Sequence, residues 1–142
     1  MKIAIINGPN LNLLGSRETG IYGTRSFDSW FDEMKERYPD HSFTYFQSNI
    51  EGELINAIQA AGLDQDGIVL NPAGYSHTSV AIADAVGAIR VPVVEVHISN
   101  IHAREEFRKY SLVSAKAVGC IAGLGLEGYR LAIEWLLDPH AP

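Results

Sequence analysis

The sequence predicts a three-layer α/β sandwich with a mainly parallel sheet, and two patterns support this prediction. Short apolar, β-branched runs alternate along the chain with segments that have a helical period, as in consecutive βαβ units. The chain has 142 residues, which is about one domain, and we expect a single domain over residues 1–142. Its composition, 46% hydrophobic and 20% charged, is that of a globular protein and not of a disordered one.

Five apolar runs are the candidate strands, and they are residues 3–6, 43–46, 68–70, 91–96 and 118–122. The fourth run contains Pro92, which has no backbone N–H, so the strand is expected to begin there. We expect Cys120 to lie in the core of the fifth strand. Five strands with helices on both faces correspond to a flavodoxin-like sandwich, and we expect the parallel strand order 2-1-3-4-5.

Four segments with apolar residues at helical spacing are the candidate helices, and they are residues 27–38, 54–61, 80–89 and 126–137. Ser26 is expected to cap the first helix, Gly62 to end the second, and Pro139 to prevent extension of the last. Thr78 and Ser79 are candidate caps of the third. A short helical turn is expected near residues 103–107, before the fifth strand.

The charge balance and the apolar runs exclude several functional classes. Seventeen acidic and eleven basic residues give a formal net charge of −6 without a basic stripe, which argues against nucleic-acid binding. The apolar run near the N-terminus has four residues, too few for the roughly 7–15 of a signal peptide or the about 20 of a membrane span. The single cysteine cannot form an internal disulfide bond. We therefore expect a soluble, cytoplasmic protein without a membrane or nucleic-acid partner.

Polar side chains follow the predicted strands at the edge where parallel sheets bind ligands. Asn7 and Asn10 follow the first strand, Asn71 the third, and His97 and Ser99 the fourth. In open parallel sheets, ligands bind beyond the carboxyl ends of the strands, where the strand order reverses. The sequence therefore predicts a site between the first and third strands.

The connection of residues 8–25 is far longer than the usual 2–6 residues of a βα loop, and such loops are often functional. It offers glycines as hinges and polar side chains as ligand contacts, and these are Gly8, Gly15, Gly20, Gly23, Arg17, Tyr22 and Arg25. It contains neither a dinucleotide-binding nor a P-loop glycine pattern.

Tyr22 is a candidate base or simply an exposed loop tyrosine. The ordinary pKa of a tyrosine, ~10, lies about 3 units above neutral pH, a difference of roughly 4 kcal/mol. One nearby arginine lowers a pKa by about 1–3 units, so two would suffice. Arg17 and Arg108 are the candidates for this role.

The fourth strand carries a candidate acid. Glu95 and His97 are two residues apart, so they project from the same face of the strand. A carboxylate beside a histidine is the arrangement that general acid catalysis requires, and a buried core histidine is the alternative. His77 is also expected to face the crevice, because better helix caps follow it.

Metal binding is the less favoured interpretation of the charged residues that follow. His102, Glu105 and Glu106 are close in sequence, but solvated charges are commoner than ligands at such positions. Asp84 by itself is expected to face solvent.

Three segments resemble the type II 3-dehydroquinate dehydratases. They are INGPNLNLLGSRETGIYG at residues 6–23, LNPAGYSHTS at 70–79 and EVHISNIHAREEFR at 95–108, in the same order as in that family. Thr19 is a departure, because the family commonly has proline there. The resemblance implies trans elimination of water from 3-dehydroquinate through an enolate, giving 3-dehydroshikimate. This is a lyase reaction of the shikimate pathway or of quinate catabolism, without a cofactor or metal.

The resemblance also implies roles for individual residues. Tyr22 matches the base that removes a C2 proton, and His97 the acid that protonates the departing C1 hydroxyl. Asn10 matches the residue that stabilises the enolate oxygen through a bound water, and Arg17 the arginine of the lid. Arg108 matches a substrate-binding arginine close to the tyrosine.

Further positions match residues that bind or orient. Asn71, His77, Ile98 and Ser99 match positions that contact the hydroxyls and carboxylate of this anionic substrate, the last two partly through backbone N–H groups. Glu95 matches the carboxylate that orients the histidine. Asp84 matches a residue that reaches the site of a neighbouring subunit. Members of the family assemble as homododecamers, tetramers of trimers.

Two alternatives stay open at this point. A flavodoxin-like binding or signalling module is the first, but a phosphoacceptor would need acids where this chain has Asn7 and Asn71. A flavin carrier would be yellow when purified. A related dehydratase with a different cyclic substrate is the second.

Overall fold

A computed structural model describes residues 1–14 and 26–138. Its parallel sheet has five strands in the order β2-β1-β3-β4-β5, which confirms the predicted fold class and strand order. The strands are β1 (Lys2–Asn7), β2 (Ser42–Gln47), β3 (Gly67–Asn71), β4 (Val93–His97) and β5 (Gly119–Ala122).

Helices cover both faces of this sheet. They are α1 (Phe27–Arg37), α2 (Glu51–Asp64), α3 (Val80–Ala88) and α4 (Glu127–Leu137). The turn expected near residues 103–107 is present as two separate 3₁₀ turns, Ile101–Ala103 and Glu106–Lys109. Two further 3₁₀ turns, Leu11–Leu13 and Ala73–His77, follow β1 and β3.

Each face of the sheet packs its own apolar core. Ile3, Ile5 and Val96 belong to the cluster that also contains the buried residues of α1 and α4. Ala4 and Ile6 belong to the cluster with α2 and α3. Alternate residues of one strand enter opposite cores because side chains in a strand alternate between its faces.

The local helix signals are mostly confirmed. Ser26 Oγ accepts a hydrogen bond from the N–H of Ser29 at 3.2 Å, and Ser79 Oγ accepts one from the N–H of Ile82 at 2.9 Å. β4 begins at Val93, one residue after the expected Pro92, because proline cannot donate to the ladder. Pro139, the expected stop of the last helix, lies outside the described residues.

The prediction that Gly62 ends the second helix is wrong, because α2 continues to Asp64. A Cβ at Gly62 would lie 2.5 Å from Cγ2 of Ile89, which follows α3. Glycine is therefore present to let α2 approach the end of α3, not to stop the helix.

The expected core position of Cys120 is also wrong. Cys120 is exposed, and β5 is an edge strand of the sheet in this chain. In the described part of the chain, no helix is long and apolar enough to cross a membrane.

Candidate active site

The carboxyl ends of β1, β3 and β4 meet at one edge of the sheet and border a solvent-open cleft of about 340 Å³. The cleft lies at the predicted edge of the sheet, but mainly beyond β3 and β4 and not between β1 and β3. It is lined by Leu11, Asn71, Ala73, Gly74, His77, His97, Ile98, Ser99, Ile101, Arg104 and Arg108. Six of the predicted site residues, Asn71, His77, His97, Ile98, Ser99 and Arg108, are among them.

A buried tyrosine fixes the strand ends beneath the cleft. The Tyr129 hydroxyl donates to Oδ1 of Asn7 at 2.8 Å and accepts from Nδ2 of Asn71 at 2.8 Å. Oδ1 of Asn71 accepts the N–H of Ala73 at 3.0 Å, and Ala73 has a left-handed φ of 53°. Burial raises the pKa of Tyr129, so its hydroxyl stays protonated. Asn7 is fully buried in this network, and Asn71 enters the cleft wall in a fixed orientation.

At Gly8, the segment that follows β1 packs closely against the segment that follows β3. Its N–H donates to the carbonyl of Asn71 at 2.7 Å, and a Cβ would lie 2.5 Å from the carbonyl oxygen of Pro72. The approach of two backbones explains the glycine at this position, and its role as a hinge stays a prediction.

His97 and Glu95 form a buried pair at the end of β4. Nε2 of His97 lies 3.5 Å from Oε1 of Glu95, which has no exposed surface. Ser111 Oγ donates to Oε1 at 2.5 Å, and Ser114 Oγ donates to Oε2. Burial by itself would raise the pKa of Glu95, but the hydrogen bonds from His97, Ser111 and Ser114 outweigh it and lower the pKa to about 2. The histidine ring therefore lies beside an ionised carboxylate.

A second histidine lies beside the first. The rings of His77 and His97 stack with their centroids 6.2 Å apart and an interplanar angle of 21°. Nδ1 of His77 donates to the carbonyl of Tyr110 at 2.7 Å. With Nδ1 protonated, the other nitrogen of a neutral imidazole is an acceptor, so His77 can receive a hydrogen bond from a ligand hydroxyl.

Two arginines make the cleft attractive to anions although the chain is acidic overall. Arg104 Nη1 donates to Ser99 Oγ at 3.2 Å, and Arg108 forms an ion pair with Glu105. That hydrogen bond lowers the pKa of Glu105. Sequence analysis did not single out Arg104, because nothing local distinguishes it from a surface arginine. Guanidinium groups beside a backbone turn are suited to a carboxylate ligand.

Not every predicted residue lines the cleft. Asn10 is exposed with a left-handed φ of 70°, and its N–H donates to Oδ1 of Asn49 at 2.9 Å. Asp84 is exposed on α3, away from the described lining. The other expectations for the long loop, on Gly15, Arg17, Thr19, Gly20, Tyr22, Gly23 and Arg25, lie outside the described residues.

One group of potential metal ligands occurs in the described ranges. Glu95, His97 and Cys120 offer atoms within 4.8 Å of one another. Both carboxylate oxygens of Glu95 already accept serine hydroxyls, so hydrogen bonding explains how the Glu95 side chain is held. Partial desolvation and the nearby carboxylate raise the pKa of the Cys120 thiol to about 12.

Residues 1–137 match the family described as dehydroquinase class II. The 3-dehydroquinate dehydratase of Fusobacterium nucleatum is 54% identical over 144 residues, with 97% of each chain covered. That of Clostridium beijerinckii is 50% identical over 139 residues, covering 96% of this chain and 95% of the relative.

Solved structures agree in fold. The type II dehydroquinase from Butyrivibrio crossotus superposes with a TM-score of 0.92 at 44% identity, covering 96% of this chain and 97% of that one. The enzyme from Propionibacterium acnes gives a TM-score of 0.90 at 47% identity, with 95% and 94% covered.

Proposed function

The chain belongs to the class II dehydroquinase family, and we propose that its cleft dehydrates 3-dehydroquinate by acid–base catalysis with His97 as the acid and Tyr22 as the base. The overall reaction is the lyase reaction of this family, loss of water to give 3-dehydroshikimate, a step of the shikimate pathway. The observation that carries the mechanism is the pair of His97 with a buried, ionised Glu95 in a cleft lined by arginines.

His97 is suited to protonate the departing C1 hydroxyl. A leaving hydroxyl needs a proton, and a histidine near neutral pH can supply one. The Glu95 carboxylate lies 3.5 Å from Nε2 and is proposed to orient the ring. Nδ1 is then the nitrogen that passes its proton to the substrate.

Tyr22 is proposed to remove the C2 proton and leave an enolate. Its phenol must be partly anionic, and Arg17 and Arg108 are the two cations assigned to this effect. Arg108 lines the cleft. Leu14 and Ser26, which flank the loop segment that carries Tyr22, line a neighbouring cleft together with Leu11, and Leu11 also lines the active-site cleft.

The remaining polar groups are proposed to bind the substrate. Ser99 and the backbone N–H groups of Ile98 and Ser99 are assigned to the carboxylate, with Arg108 adding charge. Asn71 and His77 are assigned to the ring hydroxyls, because both side chains have fixed orientations at the cleft wall. Asn10 is assigned to the enolate oxygen through a water molecule. No cofactor or metal enters this scheme.

We further propose that the chain forms a cytoplasmic homododecamer, a tetramer of trimers, in which Asp84 reaches a neighbouring site. Exposed apolar side chains near β5 and the preceding loop support association, and they are Phe107, Tyr110, Val118 and Leu124. Light scattering should give about 186 kDa, twelve times the 15.5 kDa of one chain. A monomeric mass would contradict the assembly.

The function is tested by incubating purified protein with 3-dehydroquinate and following the absorbance of the conjugated enone product. We expect colourless protein that forms the enone, with activity unchanged after treatment with a chelator. Quinate and other cyclic 3-keto acids, run in parallel, test for a shifted substrate. Absence of the enone signal with all of them would refute the proposal, and a yellow preparation would indicate a flavin carrier.

A further inference from the structure

A five-residue segment, residues 110–114, crosses behind the His97–Glu95 pair, and we call it the serine clasp. Its two serines contact both oxygens of the Glu95 carboxylate. Ser111 Oγ lies 2.5 Å from Oε1, and Ser114 Oγ contacts Oε2. None of the roles assigned above includes these serines, and they lie 16 and 19 residues from Glu95 in sequence.

The available donors and acceptors determine which group donates in each of the two hydrogen bonds to Glu95. Ser111 Oγ already accepts the backbone N–H of Ser114 at 3.2 Å. A serine hydroxyl has one proton, so that of Ser111 points at the carboxylate. Ser114 Oγ likewise donates to the second oxygen. An ionised carboxylate accepts at both oxygens, whereas a protonated one would force one hydroxyl to turn away. The clasp therefore matches the anionic form of Glu95.

The serine clasp is also hydrogen-bonded to the 3₁₀ turn Ala73–His77, which borders the cleft. The N–H of Leu112 donates to the carbonyl of Ser76 at 2.8 Å, and the carbonyl of Tyr110 accepts from Nδ1 of His77 at 2.7 Å. Val113 has no exposed surface. The serine clasp therefore positions two groups of the site, the Glu95 carboxylate beside His97 and the ring of His77.

We propose that Ser111 and Ser114 are positioning residues for the dehydration, which keep Glu95 anionic and thereby hold the His97 ring with Nε2 toward Glu95 and Nδ1 toward the substrate. This inference rests on the proposed function. Glu95 is faced by His97, Ser111, Ser114 and Cys120, whose thiol is neutral at physiological pH. Among the described residues, Glu95, Ser76, His77 and Cys120 face His97. The guanidinium groups of Arg104 and Arg108 share its cleft.

The test compares alanine with threonine at each serine, because threonine retains the hydroxyl. Variants Ser111→Ala, Ser114→Ala and the double variant are assayed on 3-dehydroquinate across pH, with Ser111→Thr, Ser114→Thr and the exposed Ser29→Ala as controls. We expect kcat to fall about tenfold for each alanine, which is the loss typical of a removed supporting hydrogen bond, and KM to change less than about twofold. Threonine should restore most of the loss, and Ser29→Ala should behave as wild type.

The dependence of kcat on pH distinguishes a positioning role of the two serines from a general loss of structure. Loss of a donor raises the pKa of Glu95, which carboxyl-carbon NMR of the alanine variants should show directly. The carboxylate stays ionised near neutral pH, and with fewer hydrogen bonds its charge is less compensated and attracts the imidazolium more strongly. The basic limb of kcat should therefore move to higher pH. Ring nitrogen NMR signals of His97 should show one tautomer in the wild type and a mixture in the double alanine variant.

Each remaining outcome has a defined meaning. Wild-type protein that does not turn over 3-dehydroquinate would refute the proposed function. Active wild type together with alanine variants that keep its kcat, pH profile and ring signals would overturn this inference. A fall in kcat with an unchanged profile and unchanged ring signals would also overturn it, since this indicates a merely structural role. If the alanine variants fail to fold, carboxyl-carbon NMR of the wild type decides, because titration of Glu95 at or above the ordinary value of about 4.3 would overturn the inference.

Discussion

Tyr129→Phe removes a single oxygen from beneath the cleft and should be among the most destabilising conservative changes in this protein. The hydroxyl makes two buried hydrogen bonds of 2.8 Å, to Asn7 and Asn71, and the ring is fully buried. Each bond contributes roughly 0.5–1.5 kcal/mol net, and leaving a buried polar group unpaired costs about 1–3 kcal/mol. The remaining contacts of Asn7 and Asn71 offset part of this cost. We therefore expect a loss of about 2–4 kcal/mol.

Urea unfolding at one fixed protein concentration measures this loss, because assembly would otherwise change the apparent stability. Tyr45→Phe is the matched control, since its hydroxyl accepts only a long 3.5 Å contact from Asn7 and should cost less than about 1 kcal/mol. We also expect KM to rise in Tyr129→Phe, because Asn71 loses the partner that orients its amide. A Tyr129→Phe variant within about 0.5 kcal/mol of wild type, with unchanged KM, would refute this account of the strand ends.

Tyr22→Phe should reduce kcat by the about 10²–10⁴-fold typical of a lost acid–base group. Ligand binding, measured by calorimetry, should be retained. A near-normal kcat would show that the base is misassigned. His97→Ala should reduce kcat over a similar range, and His97→Ala with wild-type turnover would exclude it as the acid. Gly8→Ala should destabilise by about 1–3 kcal/mol in thermal or urea unfolding, because its Cβ would lie 2.5 Å from the backbone oxygen of Pro72; an unchanged midpoint would contradict the close contact. Folding lowers the pKa of Glu95 from 4.5 to about 2, so this group stabilises the folded state fully above pH 4.5. The free energy of unfolding, measured with urea, should fall by about 3 kcal/mol as the pH decreases toward 2. A free energy that is flat over this interval, or that rises toward low pH, would disprove the ionised pair.

The features predicted correctly are those that neighbouring residues decide among themselves. Ser26 and Ser79 cap helices because a serine oxygen reaches an N–H three residues away, whatever else the chain does. Glu95 and His97 share a face because a strand alternates its side chains. Alternating strands and helices predicted the parallel sheet, whose carboxyl edge carries the cleft, and the order favoured for a flavodoxin-like sandwich is the order observed.

The features that sequence analysis missed depend on residues far apart along the chain. The local pattern around Gly62 predicts a helix end, but the glycine is needed because Ile89 packs against it and leaves no room for a Cβ. Cys120 reads as a core residue of a strand, but its strand lies at the edge of the sheet.

The sequence by itself determined the kinds of elements and which strand ends carry polar groups, because local hydrogen bonding and side-chain period fix these. Only the tertiary structure decided how those groups are supported. Tyr129 reaches Asn7 across 122 positions, and the serine clasp reaches Glu95 from beyond two 3₁₀ turns. No local pattern encodes such contacts, since a buried hydroxyl finds its partner through the packing of the whole domain.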